Sequence, residues 1–591
     1  MCGIVGGVGN IDFRSYLIKG LKSLDYRGYD SAGLAVMRNQ ELYLSKVMGR
    51  VEALDEATEE FTDATAGIAH TRWATHGAPN AVNAHPHVSM NGHFTIVHNG
   101  VIENFRALKK KLEAKNYVFK SETDTEVIAN MLEFTYVSSG DVLEAIRSTM
   151  DALEGSYACA ILFRDEPNRL YFMKNASPLL IGLTDGAAYL ASDAVPMVDF
   201  TSSFVDLNDL DYGYLTPHCI SLHHGYAEIT PTFTERSVDL LRNDLDGYPH
   251  YMLKEIHEIP SVLHRLRDNY FDGDEFLFDP AMIETLRNAK RIHFLACGTS
   301  FFASKIGVKY FRYLGKEASV SIASEWAYDP YDVVDKPVFI LLSQSGETAD
   351  LIRCQKIINE QNCVCIAVTN TKGSTIERKS TYSCLLYAGL EVAVASTKSY
   401  LAQVSFLAML VGAIEGKKKI IVHLSALIDA VKDILLREEE VHEIAKSCTE
   451  YRDAFFVGRG FDYLGSLEGA LKLKEVSYIH AEAYQGGELK HGPIALIDEN
   501  VLIIGFDSDT GLSSAIRNNL EELKARKGII FVISTKATER PGDTFVTKAC
   551  KPHFATLPLV VFAQLFTYYV ALEKGLPIDK PRNLAKSVTV E

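Results

Sequence analysis

The segment VFILLSQSGETADLIRCQKIINEQNCVCIAVTN, residues 338–370, decides the architecture of the carboxy-terminal half. It opens on a short uninterrupted apolar run, the pattern of a strand buried on both faces. A Ser/Gln/Gly stretch follows, then apolar residues at helical spacing, then a second apolar run. Strand, Gly/Ser loop, helix, strand is the order of a parallel sheet with crossover helices. The preceding segment RIHFLACGTSFFASKIGVKYFRYLG, residues 291–315, has the same plan.

The plan recurs in DAFFVGRGFDYLGSLEGALKLKEVSYI (453–479) and NVLIIGFDSDTGLSSAIRNNLEELKARKGIIFVIS (500–534). The second half is therefore predicted to be two similar α/β domains, a duplication. Residues up to about 230 read differently. Short apolar runs such as AGLAVM, FTIVHNG, YACAILFRD and RLYFMKN alternate with a few helical stretches, among them TDTEVIANMLEFTYV and DVLEAIRSTMDAL. That pattern predicts stacked sheets covered by helices. Between the halves, SVDLLRNDLDGYPHYMLKEIHEIP (237–260) is polar, interrupted by Gly247 and Pro249, and reads as a linker.

A chain of 591 residues calls for three or four domains. Lys+Arg 60 against Asp+Glu 76 gives a net charge of -16, which argues against nucleic acid or an anionic membrane as the main partner. Ten cysteines without a metal-like CxxC pair read as reduced core residues, which predicts a cytoplasmic protein. No basic stretch followed by an apolar run opens the chain, so no signal peptide is expected. The most apolar segment, TLPLVVFAQLFTYYVAL (556–572), carries Pro558, Gln564 and Thr567 and is short for a bilayer span; it reads as a buried helix.

Chemistry is suggested first by MCGIVGG, residues 1–7. If Met1 is removed, Cys2 holds a thiol and a free α-amine, a nucleophile and a base on one residue. Hydrolysis of an amide there would need oxyanion donors and a hold on the substrate. VHNGVIENF offers Asn99 and Gly100, although Asn-Gly reads equally as a hairpin turn. Arg72 suits a two-pronged grip on a carboxylate, or else a surface salt bridge. The histidines His70, His76, His85 and His87 lack acidic neighbours and the helical spacing of a zinc site, so no metal is expected. SETDTEVI reads as a capping box with Thr123 as cap and Glu126 reaching back, which leaves the Asp124 carboxylate for a ligand's ammonium. With Cys2, these residues describe an α-amino acid bearing a side-chain amide.

In LLSQSGETADL, Ser343, Gln344, Ser345 and Thr348 lead from a strand into a helix, where backbone N–H groups and hydroxyls favour a phosphate; simple helix capping is the alternative. Ser300 of ACGTSFF stands at the equivalent place in the preceding unit. Lys472 and Glu475, three residues apart, share a helix face. They read either as a surface ion pair or as a carboxylate base beside a cation.

The motifs CGIVGGVG, LDYRGYDSAGLAV, GIAHTRWATHG, VHNGVIENF and SETDTEV together resemble the N-terminal-nucleophile glutaminase domain. With CGTS, LSQSGET, VASTK, LEGALKLKE, GELKHGP and NLAKSVTVE, nearly the whole chain resembles the isomerising glutamine:fructose-6-phosphate aminotransferase family. The resemblance implies an αββα glutaminase domain over residues 2–235 and a linker at 236–249. An isomerase domain at 250–575 follows, made of two sugar-isomerase (SIS) subdomains at about 283–420 and 452–575, with a tail at 576–591 closing the sugar site.

It further implies that Cys2 attacks glutamine and that Asn99 and Gly100 form the oxyanion hole. Arg72 and Asp124 would hold the α-groups, and Trp73, Thr75 and His76 would line or gate the pocket. Cys297, Gly298, Thr299, Ser300, Ser343, Gln344, Ser345, Thr348, Val394 and Ala585 would surround fructose 6-phosphate. Glu475 would move the proton between C1 and C2 with Lys472 beside it, His491 would assist ring opening in the site of the other subunit of a homodimer, and Lys586 would form an imine. No cofactor would be needed. Ammonia would pass between the sites through an internal route gated by Trp73. The rivals are a SIS-domain deglycase, which would not need the front half, and another glutamine amidotransferase, for which the phosphoribosyl-binding run is missing.

Overall fold

The structure is a computed structural model and describes residues 2–24, 28, 30–73, 77–78, 80–236, 244–331 and 336–588. The chain forms two compact units. One takes in the amino-terminal part to residue 243 together with the segment from Ala585, and the other is Asp244–Leu584.

The amino-terminal unit stacks an eight-stranded sheet on a seven-stranded one, both antiparallel in the pairings described. The strand Gly3–Gly9 lies inside the first sheet, between Ala187–Ala191 and Ala66–Arg72. Its outer face takes the helix Phe13–Ser23 so closely that a Cβ on Gly7 would sit 2.0 Å from the Phe13 ring. Apolar residues of both sheets, among them Ile4, Val8, Val97, Ala158 and Phe172, fill the layer between them. The far face of the second sheet is covered by the helices Thr125–Ser139 and Val142–Ala152. The result is helix, sheet, sheet, helix, as expected.

Asn99-Gly100 departs from the hairpin alternative: the strand Phe94–Ile102 runs straight through it. Gly100 pairs with Tyr157 at φ +129°, and a Cβ there would meet the Ser156 carbonyl oxygen at 2.0 Å. Only glycine lets the two strands approach so closely in that conformation.

The second unit holds two parallel sheets of identical plan. The first runs Glu317–Ile322, Arg291–Ala296, Val338–Ser343, Cys365–Thr369, Tyr382–Leu385; the second runs His480–Gln485, Asp453–Gly458, Val501–Asp507, Ile529–Thr535, Phe545–Thr547. In sequence terms both orders are 2-1-3-4-5, so the duplication read from the sequence is present in three dimensions. The helices Lys398–Glu415 and Leu557–Glu573 are buried almost along their lengths and join both sheets in one hydrophobic core. No helix among the described residues is long and apolar enough to cross a membrane.

The linker reading fails in part. Tyr251–His257 and Ile259–Tyr270 are helices, and Met252, Ile256, Ile259 and Leu263 enter the core. The polar residues between those apolar positions are what made the segment read as a connection.

Candidate active sites

Antiparallel pairing of Gly3–Gly9 with Ala66–Arg72 brings Cys2 beside the end of the second strand. The Trp73 N–H donates to Cys2 Sγ at 3.2 Å, and Asn99 Nδ2 donates to the Cys2 carbonyl at 3.0 Å. Burial pushes the Cys2 thiol up, opposed by the Trp73 donor and the Arg72 guanidinium. Burial also lowers Arg72, which its neighbours Cys2, Asp30 and Asp124 counter. Arg72 donates from Nη2 to the Gly77 carbonyl at 3.2 Å.

Thr75 and His76 lie outside the described residues. Asp124 is not left wholly free, as the capping-box reading had it, because its Oδ2 accepts from the Ile102 N–H at 2.9 Å. The box itself is displaced. Asp124, not Thr123, stands at the start of helix Thr125–Ser139, and Glu126 reaches back to the N–H groups of Lys120 and Ser121.

In each sheet of the second unit the order reverses between the first and third strands of the repeat, which is where such folds open a crevice at the carboxyl ends of the strands. In the first repeat the flanking loops are Cys297-Gly298-Thr299-Ser300 and Ser343 to Thr348. Neither Cys297 nor Thr348 caps the helix it precedes with its side chain. The Ser343 hydroxyl accepts from the Gly346 N–H at 3.0 Å and lies 3.3 Å from the Thr348 hydroxyl. Ser345 Oγ accepts from the Glu347 N–H, and Ser300 Oγ accepts from Gln403 at 2.8 Å, which leaves its proton to donate. Gln344 is tied by its backbone carbonyl to the Asn370 N–H. Helix starts whose cap residues make no side-chain bond, with hydroxyls around them, suit an anion. Cys297 is half-buried, and its thiol is pushed up by burial.

The second repeat fills the equivalent place from within. The Asp462 carboxylate accepts from the Ser508 N–H at 2.7 Å and from the Ser508 hydroxyl at 2.5 Å, just after the strand Val501–Asp507. Burial raises Asp462 to about 6.

Lys472 and Glu475 are on the helix Phe461–Ser477, with Nζ to Oε2 at 2.7 Å, and the face they share is turned inward. Sequence reasoning missed Glu468, one turn earlier, whose Oε1 lies 3.4 Å from Lys472 Nζ. Glu468 and Lys472 are almost completely buried. Thr299 ties this helix to the first repeat: its Oγ1 accepts from Lys472 at 3.1 Å and donates to Glu468 at 3.2 Å. Burial raises Glu468 to about 8, so at neutral pH it keeps its proton. Burial pulls Lys472 down, but the two glutamates outweigh it and hold the ammonium above its ordinary range. The Lys472 ammonium thus lies between Glu475 and the buried Glu468.

Val394 donates its N–H to the Asp579 carbonyl at 3.0 Å. Its loop is shaped by buried carboxylates: Glu255 accepts from the Val392 and Ala393 N–H groups, and Glu391 from those of Thr397 and Ser399. His491 is exposed on a short 3-10 helix, Glu488–His491. Ala585 and Lys586 are half-buried and pack with the amino-terminal unit.

Comparison with known proteins matches this geometry. Residues 70–199 fit the glutamine amidotransferase domain model, and residues 285–413 and 449–571 each fit the SIS domain model. Glutamine–fructose-6-phosphate aminotransferase (isomerizing) of Geobacillus kaustophilus is 43% identical over 605 residues, covering 100% of both chains. The chain belongs to the isomerising glutamine–fructose-6-phosphate aminotransferases. The Bacillus subtilis member is 42% identical over 603 residues, again covering 100% of both. The solved carboxy-terminal domain of the aminotransferase from Francisella tularensis covers 57% of this chain and 100% of its own, at 34% identity and a TM-score of 0.53. The fold expected for this family, a glutamine amidotransferase domain followed by two SIS domains, is the one present.

Proposed function

We propose that the chain converts fructose 6-phosphate and glutamine into glucosamine 6-phosphate and glutamate, with glutamine opened at Cys2 and the sugar held at the crevice of the first SIS repeat. The observation that carries the reading is the Cys2 thiol, met by the Trp73 N–H and flanked by the Asn99 amide.

The thiolate adds to the glutamine amide carbon, and the oxyanion is held by Asn99 Nδ2 and the Gly100 N–H. The C–N bond then breaks and nitrogen leaves as ammonia, carrying a proton delivered by the α-amine of Cys2 once Met1 has been removed. Water splits the resulting thioester to glutamate. Arg72 pairs with the α-carboxylate and Asp124 with the α-ammonium.

At the sugar, the loops Cys297–Ser300 and Ser343–Thr348 bind the phosphate and nearby hydroxyls, with Val394 and Ala585 completing the surround. Lys586 forms an imine at the C2 ketone with loss of water, and the ammonia released from glutamine displaces the lysine amine, leaving the sugar with a C2 imine that carries the glutamine nitrogen. Glu475 then removes the C1 proton and returns it at C2, the C1 hydroxyl becoming the aldehyde, with Lys472 paired to that carboxylate at 2.7 Å. His491 serves ring opening from the other subunit of a homodimer; its exposure on a short 3-10 helix supports a role across a subunit boundary. Cysteines without disulfides support residence in the cytoplasm.

Cys2→Ala is expected to lose glutamine hydrolysis and to retain sugar isomerisation. Mass spectrometry of the first residue and product analysis with both substrates complete the test. An active enzyme that still carries Met1, or one that leaves glutamine intact, overturns the reading. Borohydride trapping with fructose 6-phosphate is expected to label Lys586.

A further inference from the structure

Behind Asn99 lies a cluster of buried histidines that the reaction as described does not use. His70 and His85 stack with ring centroids 4.0 Å apart and planes 11° from parallel, and His87 meets His85 edge-on. His70 Nε2 lies 3.0 Å from Asn99 Oδ1 and 3.1 Å from the His98 carbonyl oxygen.

The proton positions follow from the partners. Asn99 Nδ2 faces the Cys2 carbonyl, which only accepts, so the oxygen end of the amide faces His70. His70 Nε2 then meets two acceptors and must carry the hydrogen. On the other ring of the stack, the His98 N–H donates to His85 Nδ1 at 3.2 Å, so the His85 hydrogen is on Nε2, 3.3 Å from the Thr125 hydroxyl. Thr125 Oγ1 in turn lies 2.9 Å from His98 Nδ1. Burial drives His70 down to about 3 and His85 and His87 well below their ordinary range, so the cluster is neutral.

We propose that His70 is a positioning residue for glutamine hydrolysis: by donating from Nε2 to Asn99 Oδ1, it holds the amide with Nδ2, not Oδ1, turned toward the nucleophile. An unheld amide can rotate by 180° and present an oxygen to the developing oxyanion, which repels where the nitrogen stabilises. The stacked His85, locked by the His98 backbone, keeps the His70 ring in plane. The inference rests on the reading of Asn99 as an oxyanion donor.

The test uses the full chain and four variants: Asn99→Ala, His70→Gln, His70→Asn and the double Asn99→Ala/His70→Asn. Glutamine brings an amide N–H to about the position of imidazole Nε2, whereas asparagine falls short of it. His70→Asn is expected to lower glutaminase kcat roughly ten- to a hundred-fold, less than the loss expected on removing an oxyanion donor outright. KM for glutamine should move less than threefold. His70→Gln should recover at least a third of kcat. Alkylation of Cys2 by iodoacetamide, which forms no oxyanion, should keep its rate in every variant, and sugar isomerisation should report intact folding.

In the Asn99→Ala background, His70→Asn should cost nothing further. Additive losses, slowed alkylation, or equal kcat in the Gln and Asn variants would overturn the role of His70. If Asn99→Ala itself leaves kcat unchanged, it is the oxyanion reading that fails, and this inference falls with it.

Discussion

Glu468 shows how burial can give one of two similar carboxylates a different state. Both glutamates lie near Lys472, yet Glu468 is sealed and raised to about 8, while Glu475 keeps some exposure. A group raised above its unfolded value contributes stability that is full below about 4.5 and is lost as pH climbs to about 8. Glu468→Gln removes that dependence. The stability of wild type relative to the variant, from urea titrations at several pH values, is therefore expected to fall between pH 4.5 and 8 and then level off; a flat difference would contradict the neutral Glu468. At Gly100, alanine would need φ +129° and a Cβ inside contact distance of Ser156. Gly100→Ala is expected to cost about 2–4 kcal/mol and to abolish glutamine hydrolysis, checked by denaturation and by assay.

Among the elements, the loop from Glu391 to Thr397 has no regular structure of its own and borrows its shape from acceptors supplied by side chains. Glu255→Ala leaves the buried N–H groups of Val392 and Ala393 without that acceptor, a loss of about 1–3 kcal/mol. Sugar isomerisation is expected to fall while glutaminase activity is kept; loss of both in a folded variant would argue against the separation.

Which elements could be read beforehand follows from their surroundings. The parallel strands are buried on both faces, so Val338–Ser343 and Val501–Asp507 are plain apolar runs, and the repeat was legible from them alone. The crevice loops were legible too, as hydroxyls between a strand and a helix. Glu468 was not: four residues before a lysine it looks like half of a surface pair, and only the packing of helix Phe461–Ser477 turns that face inward. Glu255 was hidden in a polar stretch that resembled a connection. His70 was visible as a residue, but the tautomer that gives it a task depends on backbone groups distant in sequence.

At the scale of the molecule, twin sheets of the same order carry different loops: Asp462 accepts from Ser508 in one repeat, where the other sets the hydroxyls of Ser343 and Thr348 side by side. The proposed sharing of His491 makes a prediction at this scale. Glu475→Gln and His491→Ala chains, each inactive in sugar conversion alone, should recover part of the activity when co-expressed, since a mixed dimer keeps one intact site; no recovery would place His491 within its own chain's site.

The tail carries a different implication. The segment from Ala585 packs with the amino-terminal unit, yet the ribosome delivers it more than three hundred residues after that unit's strands. At ordinary translation speeds the interval is roughly 20–70 s. The nascent first unit must wait through the synthesis of its neighbour for its last piece, so any early proteolysis of the newborn chain should begin where that piece will eventually dock.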